Sequence, residues 1–107
     1  MIPLETSNKY IFQTGELIHH KKYDYRGVIV SMDPVCTAED AWYNSNKSQP
    51  DKDQPWYHVL VDKTDSATYV AEENLEYSEI KSPIVHPQVE EIFAVFHNGK
   101  YHRFSLN

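Results

Sequence analysis

A chain of 107 residues with 10 basic and 16 acidic side chains, a formal charge of −6, has material for one modest core; at this size roughly 65% of the unfolded chain's surface is buried on folding. There is no run of about 18 apolar residues to span a bilayer, and Met1-Ile2-Pro3-Leu4-Glu5 has neither the basic start nor the apolar stretch of a signal peptide, so one cytoplasmic domain with no membrane attachment is expected. The single cysteine, Cys36, excludes an internal disulfide, and the acid is unevenly spread: residues 9 to 30 carry a local +2, residues 31 to 97 a local −9. Such a field repels polyphosphate at long range, so any nucleic-acid contact has to run through the small basic edge near Lys21, Lys22 and Arg26.

Residues 1 to 14 form a polar lead-in held by Tyr10 and Phe12. After Gly15 a first strand, Glu16 to His20, runs into the loop or hairpin tip Lys21-Lys22-Tyr23-Asp24-Tyr25. The second strand, Arg26 to Asp33, contains Gly27, which marks a bulge or a close backbone crossing. Pro34 ends it. A hydroxyl residue with acids in the following turn predicts a short helix over Thr37 to Tyr43, and Asn44 to Gln54 reads as a solvated loop.

Pro55 then opens the strongest strand, Trp56-Tyr57-His58-Val59-Leu60-Val61, around which the chain is organised. Tyr57, Val59 and Val61 share one face, and Trp56, His58 and Leu60 the other. Bulk on both faces suits a strand wrapped in a small barrel, with His58 as a wall residue bonded to a carbonyl. A turn over Lys63 to Ser66 leads to the partner strand Ala67 to Glu72, and Glu73-Asn74-Leu75 reads as one helical turn with Leu75 as a plug. Beyond Ser82-Pro83 the pattern changes. His86-Pro87 can start a helix whose Val89, Ile92, Phe93 and Phe96 lie on one face, and Asn98-Gly99 turns the chain into a closing strand, Lys100 to Phe104. The fold class is therefore mainly β: an SH3-like barrel over about residues 10–80, with a short helix after strand two and a C-terminal helix-and-strand extension over about 84–107.

Candidate chemistry is sparse. His19 and His20 point to opposite faces of a strand, and His58, His86, His97 and His102 lack partners at zinc-ligand spacing, so no metal site is expected. Cys36 precedes a helix start but has no histidine near it in sequence, and Gly15, Gly27 and Gly99 are too scattered for a phosphate loop. No enzyme, cofactor or small-molecule substrate is implied. What remains is a binding surface: Tyr23, Tyr25, Trp42, Tyr43 and Trp56 around the two longest loops, interleaved with Lys21, Lys22, Arg26 and Lys47.

Five blocks carry a family resemblance: Gly15-Glu16-Leu17-Ile18-His19-His20, Tyr25-Arg26-Gly27-Val28-Ile29, Met32-Asp33-Pro34-Val35, Gln54 to Val61, and Tyr69-Val70-Ala71-Glu72-Glu73-Asn74-Leu75. In this order they resemble the YccV-like, or hemimethylated-DNA-binding, domain family, whose bacterial members include the heat-shock protein HspQ. The resemblance implies an SH3-like barrel without catalytic residue or cofactor. The tail from Val85 and the Asp33-Pro34-Val35-Cys36 block are more similar to the version at the C-terminus of some F-box proteins. Two functions come with the family: binding to hemimethylated double-stranded DNA, and adaptor work in protein quality control or regulated proteolysis, with a protease or its substrate as partner. The acidic balance favours the protein partner, with double-stranded DNA as the alternative. The oligomeric state is left open by the sequence.

Overall fold

The chain reverses at left-handed backbone positions: Asp24 (φ 58°), Lys63 (φ 65°), and the pair Asn98 (φ 54°) and Gly99 (φ 75°). Asparagine, aspartate and glycine tolerate that region best, which is why the Asn98-Gly99 turn is legible from sequence. Between the turns, the computed structural model places β1 at Leu17–His20, β2 at Arg26–Asp33, α1 at Asp40–Ser45, β3 at Trp56–Val61 and β4 at Ala67–Ala71. A 3-10 turn at Glu72–Asn74 leads to β5 at Leu75–Tyr77. Helix α2 covers Val89–Ile92, and β6 (Val95–His97) and β7 (Lys100–His102) form a hairpin. The structure describes residues 9–103; most of the polar lead-in, and Phe104 of the expected closing strand, lie outside the described residues.

Five strands form one antiparallel sheet in the order β4-β3-β2-β1-β5. No ladder joins β4 to β5, so the expected barrel is an open, curled sheet, and the 3-10 turn carries the chain from one edge to the other. One face packs Ile18, Ile29, Tyr57, Val59, Val70 and Leu75 under Phe12. The other face presents Leu17, Val28 and Leu60, covered by Ile84, Phe93 and Tyr101 of the extension. The two-faced bulk of β3 thus comes from the extension lying on the sheet's outer side, not from closure of a barrel. Each side chain so buried contributes roughly 1.5–3 kcal/mol of transfer free energy.

Gly27 is a close crossing: a Cβ there would stand 2.5 Å from both the Leu60 carbonyl oxygen and Val59 Cγ1. The bulge itself falls one turn of pleat later, between Ile29 and Ser31. Two helix expectations shift. Thr37 does not cap α1, because its hydroxyl donates to Asp33 Oδ2 at 3.0 Å, and the helix begins at Asp40 instead. The C-terminal helix expected to carry Val89, Ile92, Phe93 and Phe96 is a single turn, after which Phe93 is already extended (φ −115°, ψ 146°) and Phe96 sits on β6. The Asn98-Gly99 turn sets this, since a two-residue hairpin needs strand arms on both sides and pairs Phe96 with Tyr101.

Candidate binding site

The turn between β1 and β2 is built on His20. Its buried ring accepts the Lys22 and Tyr23 N–H groups on Nδ1 at 3.1 and 3.0 Å, which requires the neutral ring. Burial, and then the nearby charges of His19 and Lys22, push its pKa down, in keeping with that role. The Tyr23 ring stacks on the imidazole at 4.7 Å, and the Lys21 N–H donates to the Asn74 carbonyl at 2.8 Å. Next door, His19 lies between Asp24 Oδ1 at 2.6 Å and Glu76 Oε2 at 2.7 Å. Only the doubly protonated ring can donate to both, and the bonds to Asp24 and then Glu76 raise its pKa. The turn therefore holds Lys21, Lys22 and Tyr23 outward on a fixed base.

The insertion between β2 and β3 is tied down residue by residue. Tyr43 donates its hydroxyl to the Pro50 carbonyl at 2.8 Å and lies 3.0 Å from that of Gln49. Lys52 pairs with Asp40 at 2.8 Å and sits 4.5 Å over the Tyr43 ring. Trp56 Nε1 donates to the Asp51 carbonyl at 3.3 Å, and Gln54 Nε2 to Glu73 Oε1 at 2.8 Å. Trp42 leans edge-on against Trp56 and Tyr69, with ring centroids 6.3 and 5.8 Å apart. Tyr69 is fixed in turn by donating to Asp33 Oδ2 at 2.7 Å, a bond that holds the Asp33 carboxyl below its usual range.

Where the insertion meets the β1–β2 turn, a slot of about 80 Å³ opens. Tyr23, Trp42, Trp56 and Tyr69 give it aromatic walls, Val70 and Ala71 of edge strand β4 its floor, and Asn46 and Asn74 its polar ends. An adjoining cavity of about 300 Å³ runs between Lys22, Lys47 and Glu73.

Of the residues singled out from sequence, Lys22, Tyr23, Trp42 and Trp56 come together at this site, while Lys21 lines neither cavity and reaches it only through its backbone N–H, which bonds the Asn74 carbonyl. Trp56 is buried and serves as wall, while Trp42 and Tyr23 are exposed. Tyr43 braces the insertion from within. Tyr25 and Arg26 face elsewhere: the Tyr25 hydroxyl meets Thr68 Oγ1 at 2.8 Å, and Arg26 clasps Asp62 and the backbone of residues 80–83. His58 is not bonded to a carbonyl; it is partly exposed, tilted against the Tyr69 ring at 4.4 Å and 3.5 Å from Asp33 Oδ2. Sequence reasoning missed His20, Tyr69 and Asn74. Tyr69 was the reachable one, since pairing β3 with β4 through a short turn puts it opposite His58 and on the face of Trp56.

Among the described residues no group of three or more His, Cys, Asp or Glu side chains is placed to hold a metal ion.

Residues 10–100 match the YccV-like family, described as hemimethylated DNA-binding protein YccV like. The chain is also similar to F-box only protein 21 of Pongo abelii, Homo sapiens and Mus musculus, each 36% identical over 93 residues. That match covers 84% of this chain and 15% of the relative, so the chain spans only a small part of the length of these proteins.

Proposed function

The chain belongs to the YccV-like family, and from that premise we propose that it is a cytoplasmic, non-enzymatic module that captures a segment of another protein, as an adaptor in protein quality control or regulated proteolysis. The slot between Tyr23, Trp42, Trp56 and Tyr69 carries this reading. Tight interfaces concentrate their energy in a few aromatic-lined pockets ringed by polar groups, and an edge strand such as β4 gives an extended segment a backbone to run beside. Two observations support a second reading, double-stranded DNA: the family's description, and three exposed lysines, Lys21, Lys22 and Lys47, near one another. Three phosphate contacts amount to a salt slope of only about −2.7, well short of the six to ten contacts behind a strongly salt-dependent binder.

Selection of displayed random peptides on the immobilised protein tests the first reading, with labelled hemimethylated, fully methylated and unmethylated duplexes titrated in parallel. Peptides enriched on the wild type are expected to lose binding to Trp42→Ala. Because that change removes two edge contacts worth about 0.5–1.5 kcal/mol each, Tyr23→Ala, on an exposed ring, serves as a milder second variant. Duplex binding with no peptide enriched would make DNA the partner and refute the adaptor reading.

A further inference from the structure

Resting on the slot reading above, we propose that the captured segment is acidic: one small apolar side chain enters the slot, and flanking aspartates or glutamates meet Lys21, Lys22 and Lys47. The size of the slot sets the first half. About 80 Å³ is the space open to water centres; at about 10–15 Å³ of such space per water it takes on the order of six waters, which is room for one side chain. Its walls mix the rings of Tyr23, Trp42, Trp56 and Tyr69 with the polar side chains of Asn46, Ser48 and Asn74, so an apolar side chain gains from the water it displaces off the rings.

Charge sets the second half. The chain carries six more acids than bases, yet the mouth of the slot reverses that balance. Lys21, Lys22 and Lys47 are all exposed, and none joins an ion pair among the described residues. The one carboxylate between them, Glu73, accepts the Gln54 amide. The adjoining cavity thus sets Lys22 and Lys47 against Glu73, a surplus of one positive charge, with Lys21 next to Lys22 on the turn. The backbone that bears Lys21 and Lys22 is pinned to His20 and Asn74, so the turn itself loses little freedom when an anion docks. An acidic peptide meets this rim without crossing the acidic remainder of the surface, whereas a duplex, with charge along its whole length, has to lie against that surface as well.

The test reads the composition of the selected peptides and then titrates synthetic ones by fluorescence anisotropy. Enriched sequences are expected to place an apolar residue among acids. Changing those acids to Asn and Gln should weaken binding about tenfold. The triple variant Lys21→Ala, Lys22→Ala, Lys47→Ala should bind the acidic and amide peptides alike, and added salt should weaken only the acidic peptide on the wild type. Enriched peptides without acids, or equal affinity for the acidic and amide forms, would overturn the charge assignment while leaving the adaptor reading in place. Enrichment of no peptide at all would overturn both.

Discussion

Replacing Arg26 by alanine is expected to loosen the C-terminal extension from the sheet rather than to weaken capture of a partner. Its guanidinium donates through Nη1 to the carbonyls of Ile80 at 3.1 Å and Ser82 at 2.7 Å. Through Nη2 it reaches the Pro83 carbonyl at 3.1 Å and Asp62 Oδ2 at 3.2 Å. The other Asp62 oxygen accepts the Val85 N–H at 2.6 Å, so the pair fastens both ends of the segment that leads into the extension. The two side chains are only 13% and 10% exposed. Removing the cation strands a mostly buried carboxylate, a change that costs about 3–5 kcal/mol. At about 4–8 °C per kcal/mol in a domain of this size, Tm should fall by at least about 12 °C. Lys21→Ala and Lys22→Ala, on exposed side chains, should stay within about 0.5 kcal/mol of the wild type. Thermal unfolding followed by circular dichroism reads the difference, and the Arg26→Ala, Asp62→Ala double variant should recover part of the loss by removing the stranded charge. An Arg26→Ala protein that melts with the wild type but no longer binds the selected peptides would refute the reasoning and return Arg26 to the binding surface.

The pKa values of the adjacent histidines, read by NMR, should be shifted in opposite directions. His19 should lie above the ordinary value of 6.5, through its bonds to Asp24 and then Glu76, and His20 below it, through burial. Because the His19 pKa is raised by folding, its stabilising contribution is fully present below about pH 6.5 and is lost as pH rises through the folded value. The ring is partly exposed, so the effect is small; Asp24→Asn should lower the His19 midpoint, and an unchanged midpoint would sink the clamp. Gly27→Ala should cost about 1–3 kcal/mol by overpacking, because the new methyl meets the Leu60 carbonyl, part of the β3 backbone, as well as Val59. Urea unfolding with an unchanged midpoint would show that the β2–β3 crossing has slack.

Strands and turns were legible because their signals are local. Alternation in Arg26 to Asp33 and Trp56 to Val61, bounded by proline and turn residues, is enough to place β2 and β3. The failures came where a residue has two possible partners. Thr37 could cap a helix or bond Asp33, and the Tyr69 hydroxyl, 32 residues away, reinforces the second choice. Val89, Ile92, Phe93 and Phe96 fit one helical face, but the hairpin that Asn98-Gly99 demands takes Phe96 for itself. Within the site, Tyr23, Trp42 and Trp56 stood out as aromatics beside loops. Arg26 looked equivalent to Lys21 and Lys22, since no pattern in the sequence shows that a carboxylate 36 residues away waits for it.

His58 exposes the logic of the whole arrangement, because it lies in a gap between two covers on one face of the sheet. Beyond Leu60 that face is covered by the extension, which sinks Ile84, Phe93 and Tyr101 into it. Beyond Trp56 it is covered by the insertion, whose helix α1 contributes no buried residue. The first cover is a second core. The second is held by hydrogen bonds from Tyr43, Gln54 and Trp56 and by the edges of three rings. Segments with few buried apolar contacts open at lower free energy than the core around them. The slot thus sits under the cover that yields more easily, while β3 and β4 beneath it are anchored on their inner face by Tyr57, Val59 and Val70. A side chain wedged between Trp42 and Tyr69 would strain the insertion before the sheet, while the Lys21–Tyr23 turn, bonded to His20 and Asn74, would hold its place.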